Sequence, residues 1–387
     1  MHSLITQKHR AEANTMFRTI LIITLMFSGV IKPFIATGLD ITILLYILTI
    51  ATLFLTKTTI RRSDVSEGLW FIPFFIFYIF SNIYTLSESY SVTASLKYSL
   101  AIFSLFIPML LIRKYDDFLT FKSLYKLVYV GAVIFLLVYF FVFDQLTVYL
   151  QFEKGYGIDY LAISSILLSS VLMFINDESH MLKIIHFASL IIVIALGARG
   201  PIFIFILLIL IYGVMNGNIK FFKSKNFLYL IVFTVLMFLY GDSLYERLFN
   251  RFSAISGDKI YENSRYGMWV AAINGIQESP LIGHGIGSYG LYFIGEDVRA
   301  YPHNIILQVF FETGMVGLIL WSLFIIKFIH FLGRNCKDSG LIMLAAFLLL
   351  ETLKSNSLVD SRILFLWLGL IIVATNTNLK RSLSTNN

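Results

Sequence analysis

Long apolar runs alternate with short polar segments from one end of the chain to the other. The runs are roughly 17–25 residues long, enough to cross about 30 Å of hydrocarbon. In lipid, backbone N–H and C=O groups must bond within the protein, so these runs are predicted to be helices. The pattern predicts an all-α, polytopic integral membrane protein.

About twelve transmembrane helices are expected. The predicted spans lie near 17–37, 41–56, 69–84, 96–112, 124–143, 158–176, 181–197, 200–216, 226–241, 303–332, 339–354 and 361–377. If the chain starts in the cytoplasm, most basic residues fall in cytoplasmic segments such as "KTTIRR" and "KFFKSK". Lys and Arg accumulate on that side of membrane proteins, so both termini are predicted to be cytoplasmic.

One connection, residues 242–302, is long, contains no spanning run and is predicted to be periplasmic. Its stretch "SRYGMWVAAINGIQESPLIG" predicts a short amphipathic helix that Ser264 caps and Pro280 ends. The chain then divides into three parts. These are an N-terminal bundle of about nine helices (1–241), the periplasmic loop (242–302), and about three C-terminal helices with a cytoplasmic tail (303–387).

Composition agrees with a membrane location. The 387 residues are 58% hydrophobic and 14% charged, whereas soluble domains carry about 25% charged residues. The single cysteine, Cys336, excludes an internal disulfide. Basic residues placed in loops explain the +7 charge without a nucleic-acid partner. No cluster has the spacing of metal ligands, so we expect neither a metal nor another cofactor.

The stretch "AYPHNIILQVFFETGMVG" introduces polar groups into an apolar span. Pro302 suits the first turn of a helix, which places His303 at its N-terminal end. Asn304, Gln308 and Glu312 are four residues apart and share one face, and such stripes face a bundle interior or a watery cavity. His303 is either an interface histidine or a general base, which the positive helix end keeps neutral.

Two arginines are candidates for an anion site. Arg199 lies in "LGARGPIFIF", between two closely spaced spans, and either snorkels to the interface or faces a ligand there. Arg265 begins the amphipathic helix of the loop, where free N–H groups and a guanidinium together suit an anion. The anion available at this depth is a lipid phosphate or pyrophosphate.

Other arginines have weaker indications. Arg247, Arg251 and Arg299 lie in the long loop and either pair with nearby acids or help to bind substrate. Arg362 flanks the last turn on the same side and either lines the same cavity or pairs with neighbouring acids. The segment "GHGIGSYG" lacks the preceding strand of a nucleotide-binding loop, so we expect tight turns that pack against the membrane domain.

Together, the Ala-Arg-Gly turn, the loop with "RYGMW" and "SPLIGHGIGSY", and the span "YPHNIILQVFFETGMVGLILW" resemble the O-antigen ligase and O-antigen polymerase superfamily. The resemblance covers Leu196 to Trp321. It implies a metal-independent and nucleotide-independent glycosyltransferase of lipopolysaccharide biosynthesis in the bacterial inner membrane, active on the periplasmic side.

The resemblance also implies roles for individual residues. The donor is an oligosaccharide on undecaprenyl pyrophosphate, and Arg199 and Arg265 hold the pyrophosphate and stabilise it as it leaves. His303 deprotonates the acceptor hydroxyl, while Asn304 and Glu312 orient the site. Other expected partners are membrane lipids and the chain-length regulator and flippase proteins of the same pathway.

Three functions stay open, and the first is favoured. A polymerase transfers the growing chain to another lipid-linked repeat unit, whereas a ligase transfers it to lipid A–core. A transporter or flippase for the same units would show interrupted helices in both halves of the chain and charges deep in several spans.

Overall fold

A computed structural model describes residues 2–31, 41–55, 62–142, 160–215, 265–354 and 357–384. These residues form helices and turns with no β-strand among them, which confirms the all-α prediction. The predicted span at 226–241 lies outside the described residues, as do Arg247, Arg251 and Ser264. The division into three parts stays a prediction.

The described helices before the long connection are numbered in chain order. They are α1 (His2–Ile31), α2 (Ile41–Leu55), α3 (Arg62–Leu69), α4 (Ile72–Phe80), α5 (Tyr90–Leu111), α6 (Tyr115–Leu137), α7 (Tyr160–Met173), α8 (His180–Ala195) and α9 (Arg199–Met215). A 3-10 turn, Ser81–Ile83, follows α4, and a π-helical turn, Val138–Val142, follows α6.

Five helices complete the described chain. They are α10 (Arg265–Glu278), α11 (Tyr289–Ile294), α12 (Ile305–Asn335), α13 (Ser339–Thr352) and α14 (Arg362–Ser384). The predicted loop helix is thus present as α10, and it ends two residues before Pro280.

In the part of the chain that the structure describes, four helical segments are long and apolar enough to cross a membrane. They are Val65–Ile83, Tyr90–Leu111, Tyr115–Val142 and Ile305–Asn335, and several shorter apolar helices accompany them. Every predicted span other than 226–241 overlaps a helix. The total of twelve spans remains a prediction.

The predicted span at 69–84 is not one regular α-helix. A turn at residues 70–71 separates α3 from α4, with Phe71 at the N-cap of α4 and Pro73 in its first turn. Proline has no N–H to donate, so it is tolerated at a helix start and not in a helix interior. The sequence pattern missed this break because apolar residues continue across it.

An aromatic cluster fixes α4 among three neighbours. The ring of Phe71 lies 4.7 Å from that of Phe324 in α12 and 5.0 Å from that of Phe365 in α14. Farther along α4, the rings of Tyr78 and Tyr98 of α5 are 4.4 Å apart. Phe71, Tyr78 and Tyr98 are fully buried. Edge-to-face and tilted ring pairs of this kind give the packing a specific geometry.

The predicted span at 303–332 begins later than expected and is broken. Its helix starts at Ile305, because the Asn304 side chain caps it and accepts from the N–H groups of Ile306 (3.0 Å) and Leu307 (3.1 Å). Pro302 therefore precedes the first turn, and its predicted place within that turn is wrong. At Gly314 the backbone takes φ 63° and ψ −163°, a conformation that only glycine adopts readily.

Residues 280–288, called the glycine loop, pair with the backbone of α12 around this break. The bonds run from Met315 N to Pro280 O (2.8 Å), Val316 N to Leu281 O (3.2 Å), His284 N to Phe311 O (2.9 Å) and Gly285 N to Glu312 O (2.8 Å). The loop thus replaces hydrogen bonds that an unbroken helix would make within itself. Non-helical backbone in a membrane domain needs such partners.

Substituting Gly314 by alanine should destabilise the protein by roughly 2 kcal/mol or more, because the backbone conformation is strained for an L-residue. The new Cβ would also overlap the Leu281 backbone. Gly333→Ala in the same helix is the control, since a Cβ there meets nothing within 4 Å. Thermal unfolding in detergent measures both variants, and equal melting temperatures would contradict the expectation.

Candidate functional site

The glycine loop is held between α12 and the connection from α4 to α5. The bonds to that connection run from Tyr84 OH to Ile282 O (2.8 Å), Thr85 Oγ1 to Ile286 O (2.7 Å) and Leu86 N to His284 O (3.2 Å). Gly285 has φ 85°, and a Cβ there would overlap Thr85. The prediction of tight turns that pack against the helices is confirmed. The end of the bundle where these segments meet is called the loop end.

Asp297 attaches the segment that follows the glycine loop to the residues just before α5. Its carboxylate accepts from Ser87 Oγ (2.5 Å), Ser89 N (2.7 Å) and Ser89 Oγ (2.8 Å), just before α5 begins at Tyr90. Partial burial alone would raise the pKa of Asp297, but these hydrogen bonds lower it to about 2. An ionised Asp297 therefore stabilises the attachment of residues 289–304 to the start of α5.

Glu312 is the centre of a buried polar network. Its side chain is 1% exposed, accepts from the Tyr78 hydroxyl of α4, and accepts from Gly287 N at 3.2 Å. Gln308, one turn earlier, donates from Nε2 to Glu312 Oε1 at 3.3 Å. A buried carboxylate is stable only when such donors surround it. Glu312 thus joins α4, α12 and the glycine loop.

Gln308 extends the network to the connection between α13 and α14. Its Oε1 accepts from Leu358 N at 3.0 Å, while its Nε2 faces Glu312. Gln308 and Glu312 are both buried, as their spacing predicts, whereas the Asn304 side chain is engaged in capping α12. Gln308 and Glu312 therefore link α12 to α4, to the glycine loop and to the connection between α13 and α14.

The start of α10 lies beside the segment that leads into α12. Trp269 Nε1 donates to Pro302 O at 2.8 Å, and Tyr289 OH donates to Met268 O at 2.6 Å. Arg265 is the first residue of α10, one turn before Trp269, and its side chain is exposed. Residues four apart share a helix face, so Arg265 lies on the same face of α10 as Trp269.

His303 has an unusual backbone conformation. Among the described residues it is the one non-glycine with positive φ, at 53°. Its ring lies 4.4 Å from the ring of Tyr301. The left-handed region costs a non-glycine residue energy, and strained residues of this kind cluster at functional sites. His303 is therefore held in a defined place, between the contact of Trp269 with Pro302 and the cap of α12.

Arg199 is the first residue of α9, after a turn in which Gly197 has φ 68°. The next residue, Gly200, lies directly against the side chain of Lys354, which follows α13. A Cβ on Gly200 would stand 2.9 Å from Lys354 Cδ and would overlap the ammonium group. Burial and the charge of Arg265 lower the pKa of Lys354. The start of α9 therefore lies against Lys354, and the charge of Arg265 at the start of α10 acts on the same side chain.

Two further arginines of the prediction, Arg299 and Arg362, are among the described residues. Arg299 forms an ion pair with Asp360, and its guanidinium lies 5.5 Å from the centroid of the Tyr301 ring. The ion pair raises the pKa of Arg299 against the opposing effect of burial. Arg362 is the first residue of α14 and is half-buried. Arg299 thus ties the segment before His303 to the connection between α13 and α14.

Two residues of this region were not among the predicted site residues. Tyr78 stands in the apolar run "FFIFYIF", where nothing distinguishes it from a packing residue. Lys354 stands in "ETLKSNSLVD", and a lysine at the end of an apolar helix usually marks only the membrane boundary. Both residues are distinguished only by partners far away in the sequence: Glu312 for Tyr78 and Gly200 for Lys354.

The arrangement is suited to an anion. Two helices begin at arginines, and helix N-termini carry partial positive charge and free N–H donors. Lys354 adds a third basic residue, and His303 follows Pro302, whose carbonyl oxygen accepts from Trp269 of α10. Within the described residues, no group of three or more His, Cys, Asp or Glu side chains is placed to hold a metal ion.

Comparison with known proteins gives one family. Residues 184–322 match the family model described as O-antigen ligase, which confirms the resemblance to the O-antigen ligase and polymerase superfamily. The match includes Arg199, Arg265, His303 and the glycine loop, and it ends before Lys354. It does not separate ligase from polymerase. A comparison with curated proteins gives no match.

Replacing Asp297 by alanine should loosen residues 289–304, because two serine hydroxyls and a backbone N–H at the start of α5 lose their acceptor. We expect a loss of about 1 kcal/mol in unfolding free energy and faster hydrogen exchange in this segment. Glu296→Ala, at the neighbouring exposed acid, is the control.

The effect should depend on pH in a defined direction. The folded pKa of about 2 lies below the ordinary 3.8, so the contribution of Asp297 is complete above about pH 4 and is lost as pH falls towards 2. The wild type and Asp297→Ala should therefore differ most near neutral pH and converge in acid. A difference that grows in acid would contradict this role.

Proposed function

We propose that this chain, whose residues 184–322 carry the O-antigen ligase domain, is a glycosyltransferase that polymerises lipid-linked repeat units of a surface polysaccharide. The observation that carries the proposal is that Lys354 lies against Gly200 at the start of α9, while α10, which begins at Arg265, contacts the segment of His303 through Trp269. Members of the family are glycosyltransferase-like enzymes, which supports the reaction class.

In the proposed reaction, the donor is a glycan on undecaprenyl pyrophosphate and the acceptor is a hydroxyl of another lipid-linked repeat unit. The acceptor oxygen attacks the anomeric carbon, and a new C–O bond forms as the bond to the pyrophosphate oxygen breaks. The bonding electron pair leaves with the pyrophosphate. His303 accepts the proton of the hydroxyl, as a general base does. Attack opposite the leaving group inverts the anomeric configuration.

Electrostatics give the cations their role in this step. Negative charge grows on the departing pyrophosphate, and basic groups fixed in advance stabilise it without further reorganisation. Arg199 and Arg265 are the proposed pyrophosphate-binding arginines. The network of Glu312 and Gln308 keeps the supporting segments in place, while Asn304 fixes the start of α12 directly after His303.

The proposed setting is the bacterial inner membrane, with both termini in the cytoplasm and the loop end facing the periplasm. Membrane lipids surround the helices, and the lipid-linked oligosaccharide enters from the periplasmic leaflet. The flippase and chain-length regulator of the same pathway are the proposed protein partners. Arg247, Arg251, Arg299 and Arg362 are proposed to contribute positive charge around the donor.

Ligase activity is the second candidate, because the matching family model is itself described as O-antigen ligase. A ligase uses the same donor and the same chemistry with lipid A–core as the acceptor. The start "YPHN" and the single long loop favour the polymerase. The two functions differ in the product that accumulates when the protein is lost.

A deletion strain examined by lipopolysaccharide gel tests the proposal. Loss of a polymerase should leave core that bears a single repeat unit, because attachment to core continues without chain growth. Bare core, with glycan retained on the carrier lipid, would instead identify a ligase. An unchanged surface glycan would contradict both functions, and transport of labelled units without transfer would identify a flippase.

His303→Ala and Arg265→Ala should each lower transfer by the purified protein in nanodiscs at least about 100-fold, through loss of the base and of a leaving-group cation. His330→Ala and Arg334→Ala are matched controls, since both side chains are exposed on the last turns of α12. Size-exclusion profiles and melting temperatures confirm folding. Near-normal transfer by a folded His303 or Arg265 variant would remove that residue from the mechanism.

A further inference from the structure

The side chain of Lys354 occupies space beside residue 200 that is available because residue 200 is glycine. Its side chain runs across the backbone of Gly200, where any Cβ would overlap the ammonium group. Gly200 directly follows Arg199 at the start of α9. The ammonium group is thus brought against the N-terminal turn of a helix, a place where positive charge is unfavourable without an anion.

Its charged neighbour among the described residues is another cation. The charge of Arg265 acts on Lys354, and no carboxylate in the described part of the chain lies within ion-pair distance of Lys354 Nζ. Asp360, the nearby acid of the same connection, pairs with Arg299. Two like charges that act on one another repel, and a bound anion would remove that repulsion.

The position of Lys354 is fixed from both sides. Before it, Lys354 N donates to Glu351 O at 3.0 Å in the last turn of α13, and the Glu351 side chain accepts from Ser165 of α7 at 2.6 Å. After it, Leu358 N donates to Gln308. These bonds hold the backbone around Lys354 in place, so the point from which its side chain extends is fixed.

We propose that Lys354 binds the pyrophosphate of the lipid-linked donor together with Arg265, and that Gly200 allows the lysine to lie against the start of α9. This inference rests on the proposed function and extends it, because Lys354 lies beyond the family match at 184–322. The C-terminal helices then complete the donor site by supplying a phosphate ligand.

The same ammonium chemistry would also suit the phosphate of a surrounding lipid headgroup, so the experiment separates these sources. The full-length protein is placed in nanodiscs of zwitterionic lipid, with and without anionic phospholipid. Inorganic pyrophosphate is the probe, read both by calorimetry and as an inhibitor of glycan transfer. The variants are Lys354→Ala, Lys354→Arg and Gly200→Ala, with Lys337→Ala as the exposed matched control at the other end of α13.

Lys354→Ala should weaken pyrophosphate binding and raise the KM for the donor about tenfold, which corresponds to one lost charge-assisted contact. Lys354→Arg should restore binding to within about threefold of the wild type, and Lys337→Ala should change nothing. Gly200→Ala should weaken binding in the same direction, because it displaces the lysine. Rescue by arginine tests the charge independently of any folding defect in the alanine variant.

The contrary outcomes are distinct. Wild-type pyrophosphate affinity in a folded Lys354→Ala variant would overturn the inference, as would an effect confined to anionic-lipid nanodiscs, which would identify a headgroup site. A wild type without pyrophosphate affinity would overturn it as well. A wild type that binds pyrophosphate through Lys354 but transfers no glycan would contradict the proposed function and leave this site standing.

Discussion

The loop end depends on one constraint. Around Gly314, hydrogen bonds within the α12 backbone are replaced by hydrogen bonds to the glycine loop. An apolar helix cannot leave its N–H and C=O groups without partners, yet α12 breaks at this glycine. The glycine loop supplies the missing partners, and it is itself fixed by the connection between α4 and α5. The break thus ties the long connection to the membrane helices through backbone atoms, which change little when side chains vary.

The break divides α12 into two helical parts, and the polar residues lie in the shorter one. The helix after the break, residues 315–335, is about 31 Å long and is sufficient by itself to cross the hydrocarbon. The turns before the break, which contain Gln308 and Glu312, are a separate short helix packed among protein segments. Their side chains join α4, the glycine loop and the connection after α13. Gln308 and Glu312, which would be costly in lipid, therefore stabilise contacts between protein segments.

Much of this organisation follows from local sequence, and the rest depends on partners far away in the chain. Apolar run length predicts the helices, and the spacing of Gln308 and Glu312 predicts their shared buried face, because both depend on neighbouring residues. The break at Gly314 is not predictable in this way, since glycine is also tolerated in helix interiors. Tyr78 and Lys354 acquire roles only through Glu312 and Gly200, and hydropathy alone does not reveal such contacts. The roles of His303, Arg199 and Arg265 stay predictions that rest on the family resemblance and on their placement.

The glycine loop and α12 contact segments that are far away in the sequence, so these contacts form late during assembly in the membrane. Tyr84 bonds to Ile282, which is 198 residues later in the chain, and Tyr78 bonds to Glu312 across 234 residues. The first helices are therefore synthesised long before their partners exist, and contacts of such separation form late. Leu358 must follow before Gln308 is satisfied. A nascent chain consequently lacks the contacts that hold the loop end together until almost the whole polypeptide has been made.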